Sequence, residues 1–166
     1  TPELSEMIVR LKDHGRLNRS EAYHPVPGYN FKFTDIQAAI GLEQLKELPQ
    51  RLDKAKADYL SYASSIKDMP ELKMIPLKHS RGEVSLWVDC LSQEKEKIIN
   101  FLNNKEIYPQ PFWKPLHQHW LNLPSSHFPN STRISEQGFW LPSGPSLPNK
   151  DIDTVCREIR TCLGRN

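Results

Sequence analysis

Asn30 and Lys32 stand two residues apart, just before a strong helix start. Asn30 offers a neutral donor and acceptor, and Lys32 a mobile ammonium. Thr34 and Gln37 have capping-box spacing: the hydroxyl can accept from the third helical N–H, and the amide can reach back to the Thr34 N–H. Donors and a cation near a helix N-terminus suit an anion, because the first-turn N–H groups are unpaired and the dipole is positive there. Asp35 argues against a phosphate on the helix axis itself, since it already places a carboxylate in the first turn. The rival reading is a packed loop, because Tyr29, Phe31 and Phe33 alternate through the same stretch.

A second candidate is the Pro-bounded aromatic run Trp113 to His117. Trp113 could stack a sugar or a base, and His117 could hydrogen-bond a hydroxyl or a phosphate. A packed loop explains the run equally well. His117 and His119 lie two apart with no obvious third ligand, so a metal site is not expected. Cys90, Cys156 and Cys162 form no CxxC pair. They read as buried structural thiols, which suits a reducing, cytoplasmic setting.

These residues need elements to hold them. Leu4, Met7, Ile8 and Leu11 recur at helical spacing and predict a helix over 2–13, with Gly15 at C′. A loop follows over 17–33. Residues 34–48 read as a helix with an apolar face at Ile36, Ala39, Ile40, Leu42 and Leu45. Pro49 starts a further helical segment to Ile66, giving one long kinked helix, with Leu52, Tyr59 and Leu60 among its inward residues. Strands are expected over 72–77 and 84–91 around a turn at 78–83, with Leu86, Trp87, Val88 and Leu91 supplying core. Ser92 is a plausible N-cap for a helix over 93–104. An extended run at 107–112, a short helix at 131–137 stopped by Gly138, and a short strand at 139–141 come next. Residues 141–147 read as a structural turn. Asn149 is expected to cap a last helix over 150–163, ended by Gly164. The pattern is α+β, with a few strands and helices packed on one face.

Composition narrows the class. The 166 residues are 37% hydrophobic and 25% charged. A net charge of +2 is too small and too dispersed to argue for nucleic acid. No apolar run approaches the ~20 residues of a membrane helix. Of the 14 prolines, most follow residue 107, so that half should be rich in fixed turns.

The segment Gly28-Tyr29-Asn30-Phe31-Lys32-Phe33-Thr34-Asp35-Ile36-Gln37-Ala38-Ala39 resembles the Gly-Tyr-Asn-Tyr-Arg-x-Thr-Asp-Ile-Gln-Ala-Ala signature of the DegT/DnrJ/EryC1/StrS family of pyridoxal-phosphate-dependent nucleotide-sugar aminotransferases. Upstream, Leu11-Lys12-Asp13-His14-Gly15-Arg16 is similar to the family's Leu-Arg-Asn-His-Gly-Arg run. Downstream, residues 111–117 and 141–147 resemble two landmarks of its C-terminal domain. The likeness covers nearly the whole chain.

The resemblance implies a fold-type I aminotransferase. Residues 1–48 would be a remnant of the large cofactor-binding domain and the start of the inter-domain helix. Residues 49–166 would be the small α+β domain, with a small antiparallel sheet and packed helices. It implies amine transfer from glutamate to a nucleotide-linked keto-sugar by a homodimer that binds pyridoxal 5′-phosphate (PLP). Asn30 and Lys32 become candidate contacts to the cofactor phosphate, in a loop that in the family reaches the neighbouring subunit's site. Lys32 replaces the more usual arginine and so lacks its planar fork. Tyr29, His14, Arg16, Trp113 and His117 become candidates for lining the substrate site. Gln110 stands where many relatives have arginine. In the family the Schiff-base lysine lies upstream of the His-Gly-Arg run, and no lysine here has its setting. The chain is therefore expected to be a fragment, inactive alone and without its own PLP. The apolar face from Ile36 to Leu45 would lose part of its cover, so oligomerisation or a rearranged N-terminal region is expected. The rival expectation is a stand-alone, non-catalytic interaction module that kept the dimerisation surface.

Overall fold

The computed structural model describes residues 1–16, 23–119 and 124–165. Part of the loop expected over 17–33 lies outside them. The chain divides into two compact units, Thr1–Leu48 and Pro49–Asn166.

In the first unit, α1 spans Pro2–Lys12. The Thr1 side chain accepts from Leu4 N, and Pro2 occupies the first turn, where no N–H is needed. At the other end Gly15 N donates to Arg10 O at 2.8 Å, the six-residue closure of a Schellman motif. That puts His14 at C′, with φ +57°, and Gly15 one position beyond, at φ +76°. The expected placing of Gly15 at C′ is thus shifted by one. His14 takes the left-handed backbone because its N–H leaves the helix and donates to Tyr29 O at 3.0 Å.

The capping box forms. Thr34 N donates to Gln37 Oε1 at 2.9 Å, and Gln37 N donates to Thr34 Oγ1 at 3.3 Å. Helix α2 then runs over Asp35–Ile66 with Pro49 inside it, so Pro49 does not begin a separate helix. Within Thr1–Leu48, Asp13 and Gly15 are the buried residues among those described. The apolar faces of α1 and of residues 36–45 form as patterned but stay exposed, with Ile36 at 75%.

The second unit holds the core. Strands β1 (Lys73–Met74), β2 (Val88–Leu91), β3 (Gln110–Pro111) and β4 (Gly138–Leu141) form one antiparallel sheet in the order β1-β2-β4-β3. The expected strands at 72–77 and 84–91 pair, but only over two residues of β1. Pro76, which cannot donate to a ladder, limits that edge. Val88, Cys90, Phe139 and Leu141 point inward and are buried. They pack with Tyr62 and Ile66 of α2, with Ile98 and Leu102 of α3 (Lys95–Asn103), and with Ile152, Val155 and Ile159 of α5 (Asn149–Cys162). Leu52, Leu60, Leu86 and Trp87, expected inside, are largely exposed. Leu86 and Trp87 precede the ladder, so the strand's alternation does not turn them into the core.

Caps differ in detail from expectation. Ser92 Oγ accepts from Glu94 N, yet Glu94 is the N-cap of α3. Pro148, not Asn149, caps α5. Helix α4 covers Pro129–Gln137 and gives way at Gly138, as the pattern required. Gly164, at φ +70°, closes α5 with the full Schellman pair, Gly164 N to Thr161 O and Arg165 N to Arg160 O. Five α-helices and one small antiparallel sheet among the described residues make an α+β architecture.

Candidate functional site

The first candidate site is built by two strands of backbone in the N-terminal unit. Asp13 and Asn30 form an antiparallel bridge. Tyr29 N donates to Leu11 O at 2.6 Å, and Phe31 N donates to Lys12 O at 3.0 Å. Gly28 permits this approach: a Cβ there would collide with the His14–Gly15 backbone. The His-Gly-Arg run and the Gly-Tyr-Asn-Phe-Lys run, 14 apart in sequence, thereby become one local structure.

The bridge assembles charge. Asp13 Oδ1 receives Arg16 Nη2 at 2.6 Å and Lys32 Nζ at 2.8 Å. The hydrogen bonds from Arg16 and then Lys32 hold the Asp13 carboxyl down at about 2. Two cations thus share this one carboxylate. Asn30 is exposed, and its backbone forms the bridge. Tyr29 and Phe31 stack on each other, with ring centroids 5.0 Å apart. His24 Nδ1 lies 2.7 Å from His14 O, and the two imidazole rings meet edge to face. The structure therefore brings together Asn30, Lys32, Tyr29, His14 and Arg16. Asp13, which organises them, was missed. Its place in the Leu-Lys-Asp-His-Gly-Arg run gave the one available signal, an acid where the family run has asparagine.

The second candidate lies in the C-terminal unit. Trp113 is 71% exposed and packs edge-on to Trp140, centroids 4.9 Å apart. His117 does not share its setting. His117 is buried, stacks on Phe128 at 4.8 Å, and shares a 3.1 Å hydrogen bond between Nε2 and Thr132 Oγ1. That environment makes it part of a packed loop. Trp87, expected in the core, joins Trp113 around a cleft together with Tyr108 and Trp140, for which the sequence carries no site signal.

Cys90, Cys156 and Cys162 are buried free thiols. Burial pushes Cys90 up to about 12 and Cys156 up to about 11, so neither is a ready nucleophile. Among the described residues, no group of three His, Cys, Asp or Glu could hold a metal ion. No helix of the described residues is long and apolar enough to cross a membrane.

A small antiparallel sheet with helices on its inner face makes the second unit, and the first unit gathers cations beside an exposed amide. Solved structures carry the same fold. TlmJ, an aminotransferase from Streptoalloteichus hindustanus, superposes with a TM-score of 0.84 at 22% identity, over 99% of this chain and 46% of that one. Spr1654 of Streptococcus pneumoniae, solved in a PLP-form, gives 0.83 at 21% identity, over 98% and 44%. Residues 1–160 match the model of the DegT/DnrJ/EryC1/StrS aminotransferase family, and the chain belongs to that family. The GDP-perosamine synthase of Vibrio cholerae is 31% identical over 170 aligned positions, covering 93% of this chain and 44% of the relative. A UDP-4-amino-4,6-dideoxy-N-acetyl-beta-L-altrosamine transaminase of Helicobacter pylori is 30% identical over 126 positions, covering 72% and 34%. The chain thus spans less than half the length of these curated relatives.

Proposed function

We propose that the chain is the C-terminal part of a PLP-dependent aminotransferase that moves an amino group from glutamate to a keto-sugar carried on a nucleotide. Family membership over residues 1–160 is the observation that carries this reading. The donor set of the N-terminal unit fits the cofactor's phosphate. Lys32 has three N–H donors, and its 2.8 Å bond to Asp13 engages one. Asn30 adds an exposed amide, and the Lys32 ammonium supplies positive charge to attract a dianion.

In this reading Asn30 and Lys32 hold the phosphate, while Asp13 fixes the direction of Lys32. PLP, when bound, supplies the electron sink for amine transfer. Tyr29, His14 and Arg16 flank the phosphate contact and bound the substrate's approach. The protein works as a homodimer, and the exposed apolar residues Ile36, Ile40 and Leu45 support such an association. Three buried free thiols suit the cytoplasm. The chain by itself is inactive.

The test is 2-oxoglutarate production. The whole translated protein, given PLP, glutamate and a GDP- or UDP-linked 4-keto-sugar, is expected to form 2-oxoglutarate only when the sugar is present. The 166-residue chain is expected to form none. A whole protein that yields none with any nucleotide-linked keto-sugar would overturn the reading.

A further inference from the structure

The sheet of the C-terminal unit has a second face. Val88, Cys90, Phe139 and Leu141 alternate into the core, so Asp89, Trp140 and Gln110 lie on the opposite side, where Gln110 and Asp89 both sit across from Trp140 in the register. A sheet with one solvated face normally places polar residues there. Here the outer face gathers aromatic rings. Trp140 is their centre, with centroids 5.1 Å from Trp87, 4.9 Å from Phe112 and 4.9 Å from Trp113. Trp87 and Trp113 meet at right angles, 5.9 Å apart. Trp140 is itself fixed: its Nε1 donates to Asp89 Oδ1 at 2.8 Å.

These rings line an open cleft of about 590 Å³, within the usual size of ligand sites. Trp113 and Trp87 keep 71% and 44% of their surface exposed there. None of its lining side chains carries a formal charge. Such a surface does not suit a phosphate. It suits a flat, neutral ring, which gains stacking energy on indole and phenyl faces without leaving a charge unpaired. Gln110 offers a donor and an acceptor in one plane, as the edge of a nucleobase requires, and Tyr108 adds a hydroxyl.

We infer that this cleft seats the nucleobase of the nucleotide-linked substrate, stacked on the Trp87–Trp113–Trp140 cluster and hydrogen-bonded by Gln110. Asp89 is a positioning residue that acts through Trp140. The inference rests on the substrate class proposed above.

Tryptophan fluorescence of the chain tests it, with GMP, UMP and dTMP as probes and ribose 5-phosphate as the base-free control. At least one nucleotide should quench saturably, and ribose 5-phosphate should not. Trp113→Leu changes an exposed residue and should leave the circular dichroism unaltered, yet weaken nucleotide binding about tenfold, the loss of one stacking contact. No saturable quenching, equal quenching by ribose 5-phosphate, or unchanged affinity in Trp113→Leu would overturn the inference. So would sedimentation showing self-association that Trp113→Leu abolishes, since a second copy would then fill the cleft. In the whole protein, Trp113→Leu should raise KM for the nucleotide-sugar far more than it lowers kcat. An active whole protein with unchanged KM would sink this inference and leave the aminotransferase reading intact. Base binding by the chain beside a whole protein without amine transfer would do the reverse.

Discussion

Lys32 Nζ lies 2.8 Å from Asp13 Oδ1, beside a backbone bridge that joins Asp13 to Asn30, 17 residues apart in sequence. The cation proposed to meet the cofactor phosphate is therefore already aimed by a carboxylate. Asp13 lowers the entropy of the Lys32 side chain and also competes for its donors. These two effects have opposite signs on anion affinity, and charge decides between them.

Asp13→Asn should raise the affinity of the N-terminal unit for inorganic phosphate several-fold at low ionic strength. The substitution removes one negative charge beside Lys32, and the gain should shrink as salt screens it. Asn30 and Lys32 chemical shifts during a phosphate titration report the binding. Weaker binding would mean that aiming Lys32 matters more than freeing its charge.

The Asp13 carboxyl sits at about 2, held there by Arg16 and Lys32, against an ordinary value of about 3.9. Between those values the unfolded chain binds more protons than the folded one. The ion pair therefore adds stability above pH ~4, and that contribution disappears as pH falls toward 2. Carbon-detected NMR of the Asp13 carboxyl should titrate near 2. In Gly28→Ala the added Cβ would strike the His14–Gly15 backbone and part the bridge. Its Asp13 midpoint should move up toward 3.9. An unmoved midpoint would show that the ion pair does not depend on the bridge.

Tyr62 is fully buried, and its hydroxyl donates to Pro142 O at 2.7 Å, linking α2 to the turn after β4. Tyr62→Phe should cost about 1 kcal/mol, because the ring stays and one buried hydrogen bond goes. Urea unfolding followed by tryptophan fluorescence should show a lower midpoint at unchanged slope. No change would mean that Pro142 O finds another donor.

Cys90, Cys156 and Cys162 are buried, and burial raises all three thiols. The native protein should react with a thiol reagent at pH 8 only at the rate of unfolding. Denaturant should release all three together. A fast native phase would place one thiol in a more open setting.

Much of the architecture was legible in local signals. Thr34 and Gln37 announced the start of α2, Gly138 the end of α4, and Gly164 the end of α5, because each acts within a few residues of itself. Strand lengths were overread, since β1 and β3 are two-residue edges whose apolar neighbours continue past the ladder. Trp87 is large and apolar and so reads as core in the sequence, yet it packs against Trp140 on the outer face, where only the sheet's register reveals its partners. Asp13 stayed hidden for a similar reason: its link to Lys32 depends on a tertiary bridge that Gly28 allows. His117 looked equally fit for a ligand or for packing, and Phe128 and Thr132 supply the packing.

Asn30 and Lys32 are proposed to hold the cofactor phosphate. The most direct measurement is the PLP affinity of the whole translated protein beside its Asn30→Ala/Lys32→Ala variant. Loss of an amide contact and a charge-assisted one predicts PLP binding at least tenfold weaker, with the fold retained. Equal affinity in the two proteins would contradict the account.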